Sequence, residues 1–191
     1  GRIDNLKKLR ITLIGRMIKE KGVDFFIETS KLIKKKIPSL KVTLVGPIDF
    51  GNPSFISEDY LISLNNNNII EWWGEQEDMI NVYKNSSIIV LPSFREGFPK
   101  TLIEAGLSGR PVLASDVPGC RDAIVNGITG YTFPLNDKKT YISQIINLIN
   151  NKHKMKIMGQ EGRKHVINNF STDIVIPKMV AEIERSFAHA E

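Results

Sequence analysis

Cysteine is nearly absent. Cys120 is the single one in 191 residues, so no disulfide can close within the chain and no Cys/His cluster can hold structural zinc, and a reducing compartment, the cytosol, is expected. Long apolar runs are missing too: none reaches the roughly 18 residues a spanning helix needs, and the opening Gly1-Arg2-Ile3-Asp4-Asn5 lacks the features of a secretory signal. The chain has no Walker A sequence, and Gly15 is not followed by the second and third glycines of a dinucleotide fingerprint, which disfavours a hydride-transfer enzyme. With 41% hydrophobic and 25% charged residues, the composition excludes disorder, collagen and coiled coil. A charge of +5, from 26 basic and 21 acidic residues, suits anionic partners such as phosphates, acidic headgroups or nucleic acid. Much of that excess sits at Lys31, Lys34, Lys35 and Lys36, which read at least as well as a solvated helix face.

Short apolar runs bounded by Gly, Pro, Ser or Asn predict strands at Arg10-Ile14, Lys41-Val45, Ile69-Trp72, Ile88-Leu91, Pro111-Ser115 and Gly130-Phe133. Helical spacing separates them: Val23, Phe26, Ile27 and Ile33 share a face of Val23-Lys35, and Ile142, Ile145, Ile146 and Ile149 share one of Lys138-Asn150. Pro47-Asp59 reads as a loop, Asn65-Asn68 as a polar turn, and Asn151-Phe170 and Ile174-Phe187 as closing helices, the last with Pro177 in its first turn. Strands apolar on both faces and joined by helical crossovers require a parallel sheet covered on both sides. The predicted fold is α/β, a Rossmann-like doubly wound sheet of about six strands forming one domain over residues 1–191.

In such a sheet ligands bind beyond the carboxyl ends of the strands, where strand order reverses. Two strand-to-helix junctions carry suitable chemistry. After Ile14, Gly15 allows close backbone approach, Arg16 and Lys21 bring two cations to one mouth, and Gly22 permits φ > 0 before the helix. That arrangement suits a diphosphate, although two loop cations over a tight turn would look the same. After Leu91, Gly97 precedes Pro99, which fits the first helical position, so backbone N–H groups can face an anion at the positive end of the helix dipole. Glu96 in the loop and Glu104 on the helix can address different parts of one elongated ligand, since a carboxylate accepts two hydroxyl hydrogen bonds from a ribose diol or a sugar ring. Singly, Glu104 reads as a surface acid and Glu96 as a capping one. Trp72 and Trp73 could stack on a base, although one of two adjacent strand tryptophans should face the core. His153, His165 and His189 lie far along the chain from both junctions and read as packing or solvent residues, and Cys120 reads as a small neutral residue in a turn.

Glu96-Gly97-Phe98-Pro99 with Glu104-Ala105 and Gly109-Arg110-Pro111-Val112-Leu113-Ala114 resembles the E-x7-E signature of retaining glycosyltransferases of family 4, which have the GT-B fold. Gly15-Arg16 with Lys21-Gly22 is similar to that family's G-R-x4-K-G element, and Asp116-Val117-Pro118-Gly119 with Asn126-Gly127-Ile128-Thr129-Gly130 to its later segment. The likeness runs from about Leu9 to Phe170 and includes Trp72-Trp73-Gly74. It implies that Arg16 and Lys21 neutralise the donor diphosphate as it leaves, that Gly97 and Phe98 amides add to that cradle with Pro99 beside them, and that Thr101 and Leu102 touch the donor through backbone groups. Glu104 would hold the ribose hydroxyls, Glu96 would face the donor sugar, and the surroundings of Gly74 and Glu75 would receive uracil or another base. No D-x-D pair occurs, in agreement with a metal-independent transfer, and no cofactor is implied.

The resemblance also implies a nucleotide-diphospho-sugar donor, expected to be a UDP-sugar, and a glycan or polyprenyl-diphosphate-linked acceptor in bacterial surface polysaccharide synthesis, with no nucleic acid as partner. GT-B enzymes have two Rossmann-like halves, and this chain corresponds to the C-terminal, donor-binding one. The acceptor half is expected to be missing, and the segment alone to bind nucleotide while transferring sugar poorly or not at all. Peripheral association of the full-length enzyme with the inner face of the cytoplasmic membrane fits such acceptors. Arg121-Asp122 departs from a turn that often holds glutamate in the family. Two alternatives stay open: a noncatalytic nucleotide-binding or interaction module of the same fold, and a GT-B-like epimerase, which would need groups from both halves.

Overall fold

Consecutive apolar residues in each strand send alternate side chains to opposite faces, and both faces are covered. The computed structural model describes residues 9–171 together with 173 and 174. Six parallel strands, β1 (Arg10–Ile14), β2 (Lys41–Val45), β3 (Glu71–Trp72), β4 (Ile88–Leu91), β5 (Val112–Ser115) and β6 (Gly130–Phe133), lie in the order β3-β2-β1-β4-β5-β6. This is the predicted doubly wound, Rossmann-like sheet, with its reversal of strand order between β1 and β4.

Helices α1 (Val23–Lys36), α2 (Glu58–Asn66) and α6 (Lys138–Asn150) cover one face, where Phe26, Ile27, Leu61 and Ile145 meet Ile11, Leu13, Val42, Leu44, Ile88 and Val90. The rings of Phe25, Phe133 and Tyr141 close that layer at centroid distances of 5.0 to 5.7 Å. Helices α3 (Met79–Asn85), α4 (Lys100–Leu107) and α5 (Pro118–Ala123) cover the other, where Val82, Tyr83, Leu102, Ala105 and Cys120 meet Ile14, Val45, Ile89 and Leu91. Helix α7 (Lys152–Phe170) then braces α4: a Cβ on Gly106 would stand 2.7 Å from Val166 Cγ2. The helix that carries Glu104 is thereby held from the sheet side and from outside.

The structure moves several predicted boundaries. β3 is two residues long, not four, because the N–H groups of Ile69 and Ile70 turn back to the Leu64 carbonyl that ends α2 (2.9 and 3.5 Å) and do not pair with β2. β5 begins at Val112 because Pro111 has no N–H to give the ladder, although its carbonyl accepts from Ile89 N–H at 3.1 Å. Asn65 and Asn66 are the last turn of α2, so the polar turn is confined to Asn67 and Asn68, the latter with φ of 55°. Cys120 lies within α5, not in a turn. From residue 175 onward, the helix expected over Ile174-Phe187, with Pro177 in its first turn, and His189 after it lie outside the described residues. Among the described residues no helix is long and apolar enough to cross a membrane.

Candidate active site

The two junctions identified from sequence leave the neighbouring strands β1 and β4 and touch along their length. Gly22, with φ of +71°, lies so close to the end of β4 that a Cβ on it would stand 2.1 Å from the Pro92 carbonyl oxygen. One residue earlier, the Lys21 ammonium meets Glu96 Oε1 at 2.6 Å. The Phe94 N–H donates to the Glu20 carbonyl at 2.9 Å. Arg16 and Lys21 from the first junction and Phe94 and Arg95 from the second line one cleft of about 470 Å³. A larger groove of about 720 Å³ runs between the end of α1 and α6, lined by Lys36, Ile142 and Asn147 among others; it includes none of the sequence-predicted site residues.

Both cations predicted for the diphosphate have acidic partners. Lys21 is paired with Glu96, whose side chain is 9% exposed, and Arg16 Nη1 meets Asp49 Oδ2 at 2.6 Å. Glu20, at the cleft wall, accepts from the Ser54 hydroxyl, and that hydrogen bond holds its carboxyl below the ordinary range. Arg95 has no ion pair among the described residues. Sequence reasoning missed Asp49 and Arg95. Arg95 stands next to Glu96 and could have been flagged; Asp49 sits in the stretch read only as a loop.

Pro99 is the residue before α4, not its first position: its carbonyl accepts from Leu102 N–H at 2.9 Å, which makes it the N-cap. The Leu102 amide is therefore engaged and its side chain is buried, so the donor contact expected of Leu102 has no free N–H to make it. The amides of Gly97, Phe98 and Thr101 have no acceptor among the described residues. Their direction follows from α5. A Cβ on Gly119 would lie 2.5 Å from the Glu96 carbonyl oxygen and 2.4 Å from that of Gly97, so both carbonyls stand against α5. In trans peptides the N–H points opposite to the C=O, so the Gly97 and Phe98 amides turn away from α5 in parallel, the arrangement by which successive N–H groups can face an anion. Gly97 itself is uncrowded, since a Cβ on it would meet nothing within 4 Å, and the Phe98 ring is exposed beside Phe170 at 5.9 Å.

Cys120, next to Gly119, is fully buried, and that burial, with the Glu96 charge adding to it, pushes its thiol up to about 12. It stays protonated at neutral pH. The folded chain is therefore expected to resist iodoacetamide at pH 7.5 and to react once unfolded in guanidinium chloride; rapid alkylation of the folded chain would contradict this.

Glu104 is exposed on α4, and its Oε2 accepts from the Tyr83 hydroxyl of α3 at 2.7 Å. Thr101 is half-buried in the first turn of the same helix. On the other side of β1 the strand ends form a low rim. Gly15 N–H donates to the Val45 carbonyl at 2.9 Å, and Gly46 N–H to the Gly74 carbonyl at 2.7 Å. Gly74 has φ of +66° and open space where a side chain would be, and Glu75 beside it is exposed. The two tryptophans divide differently from expectation. Trp73 lies beyond the strand, and both are half-buried, Trp72 against one core and Trp73 against the other, with the Arg10 guanidinium 4.7 Å above the Trp73 ring. Among the described residues no group of three or more His, Cys, Asp or Glu could hold a metal ion.

The sequence pattern of the family described as "Glycosyl transferases group 1" matches residues 3–165. The chain belongs to this family. The capsular polysaccharide biosynthesis glycosyltransferase CapM of Staphylococcus aureus is 34% identical to it over 165 residues, covering 86% of this chain and 43% of that protein. The N,N'-diacetylbacillosaminyl-diphospho-undecaprenol alpha-1,3-N-acetylgalactosaminyltransferase of Campylobacter jejuni is 32% identical, covering 79% of this chain and 38% of that one. In structure, Anabaena HepE, solved in complex with UDP, superposes with a TM-score of 0.81 at 20% identity over 94% of this chain and 49% of that one, which shows the shared fold. The chain thus spans less than half the length of each of these relatives.

Proposed function

We propose that this group 1 glycosyltransferase chain is the donor-binding unit of a retaining enzyme that transfers a sugar from a nucleoside-diphosphate sugar, with uracil as the base, to a glycan or lipid-linked acceptor. The observation that carries this reading is the Lys21–Glu96 pair at 2.6 Å, which joins the diphosphate-type junction to the helix-start junction where strand order reverses. In transfer, the bond from the anomeric carbon to the β-phosphate oxygen breaks, a bond to the acceptor oxygen forms, and the acceptor proton passes to the leaving diphosphate. Negative charge grows on that diphosphate. Arg16, Lys21 and the parallel Gly97 and Phe98 amides stand where they can meet it as fixed donors, with no metal needed as counter-charge. Glu96, mostly buried and joined to Lys21, faces the sugar side of that charge and supports the developing positive carbon; it lies in no hydrolase-type carboxylate pair. Glu104 takes the ribose hydroxyls, and the rim at Gly74 and Glu75 takes the base.

The donor and acceptor classes draw on relatives. A UDP-Gal:alpha-D-GlcNAc-diphosphoundecaprenol alpha-1,3-galactosyltransferase of Escherichia coli is 28% identical over 162 residues, and its name, like that of the C. jejuni enzyme, specifies a diphospho-undecaprenol acceptor. Such an acceptor places the complete enzyme at the inner face of the cytoplasmic membrane. Calorimetric titration of the chain with UDP, GDP and ADP tests the reading. UDP is expected to bind most tightly, and Arg16→Ala to weaken it about tenfold, the scale of one charge-assisted phosphate contact. Equal affinity for the three nucleotides, or binding indifferent to Arg16, would overturn it.

A further inference from the structure

Tyr83 has no part in the reading above, yet it holds one of its central groups. Its hydroxyl, on a residue only 3% exposed, donates to Glu104 Oε2 at 2.7 Å. Its ring is fixed in the second core beside Leu102 and Ala105, the residues of α4 that flank Glu104 on its buried side. Burial first, and then the hydrogen bond to Glu104 and its charge, hold the phenol far above its ordinary range, so it donates at every pH the protein meets. Glu104, by contrast, is exposed on α4. A glutamate in that setting samples several rotamers, and ordering it at the moment of binding would cost entropy. A rigid buried donor fixes one carboxylate oxygen during folding instead. It occupies one of about four lone-pair sites and leaves the others for a diol.

We infer that Tyr83 is a positioning residue for ribose recognition: through its hydrogen bond to Glu104 it presets the carboxylate that reads the sugar hydroxyls of the nucleotide. The inference rests on the proposed ribose role of Glu104. It also gives α3 a task, because this helix is the first element after Gly74 and Glu75, proposed for the base, and carries the donor that fixes the ribose acceptor. A plain structural clip between α3 and α4 would use the same hydrogen bond but would not make the protein sensitive to a ribose hydroxyl.

The test is calorimetric titration of the chain, Tyr83→Phe and Glu104→Gln with UDP and with 2′-deoxy-UDP, alongside a thermal melt of each. The unaltered chain is expected to favour UDP. In Tyr83→Phe the affinity for UDP should fall about tenfold, the scale of one hydrogen bond to a charged group, while 2′-deoxy-UDP loses much less, so their ratio moves toward one. Tyr83→Met, a second apolar replacement, should shift the ratio in the same way should the phenylalanine variant not fold. If both nucleotides weaken in parallel, or neither changes, while Glu104→Gln still collapses the ratio, Tyr83 is a clip and the inference is overturned with the ribose reading intact. If the unaltered chain does not distinguish the two nucleotides, the ribose role of Glu104 fails, and the role of Tyr83 falls with it.

Discussion

Gly22→Ala is expected to lower the melting temperature by about 10 °C. The new Cβ would stand 2.1 Å from the Pro92 carbonyl oxygen and 2.8 Å from its ring, at a residue whose φ is +71°. Left-handed strain of about 1 kcal/mol adds to a backbone collision of roughly 1–3 kcal/mol, and each kcal/mol moves a domain of this size by about 2–4 °C. The chain can relieve the contact only by parting the first junction from the end of β4, which also separates Lys21 from Glu96. UDP binding should therefore fall along with stability. Gly97→Ala is the counterpart: nothing lies within 4 Å of its added carbon, so the melting temperature should stay within about 2 °C while UDP weakens, because the methyl stands over the amides proposed to meet the phosphates. Thermal melts and UDP titration of both variants check this. Equal loss of stability in the two would contradict it.

The architecture was legible because its signals are local. Ile, Val and Leu at adjacent positions of β1, β2 and β4 can be buried on both sides only in a parallel sheet covered by helices, and the glycines and prolines that end them mark the junctions. The E-x7-E spacing and the G-R-x4-K-G element then point to the same sheet edge from two distant segments. What stayed hidden depends on contacts between segments. Asp49 reaches Arg16 from 33 residues away and Tyr83 reaches Glu104 from 21, and no periodicity encodes either meeting. The role of Gly119 could not be read because its constraint is the backbone of another loop. Pro99 was misplaced by a single position, as it is the N-cap of α4 and not its first residue, and the turn that puts its carbonyl on the Leu102 N–H is a contact no spacing rule prints.

Lys21 and Glu96 are expected to affect nucleotide affinity in opposite directions. Lys21→Met removes the cation and leaves a carboxylate that is 9% exposed facing the cleft unpaired. Stability should fall by about 1–3 kcal/mol, less than for a fully buried pair because the lysine side chain is 25% exposed. UDP should weaken about 100-fold, since the diphosphate loses an attractive charge and meets a bare repulsive one. Glu96→Gln keeps the shape of the site and frees the ammonium from its partner, so UDP should bind as tightly or a few-fold more tightly. Transfer by the complete enzyme should nevertheless be lost, because the group proposed to face the sugar no longer carries charge. Raising the salt concentration should narrow the gap between the variants, as both effects are electrostatic and the cleft is open to solvent. Calorimetry at two ionic strengths reads the affinities, and a parallel loss of UDP binding in both variants would show that the pair acts only as a strut. The opposed signs follow from the shared role proposed for the lysine: Glu96 keeps it extended across the two junctions, and a diphosphate would compete with that carboxylate for the same ammonium.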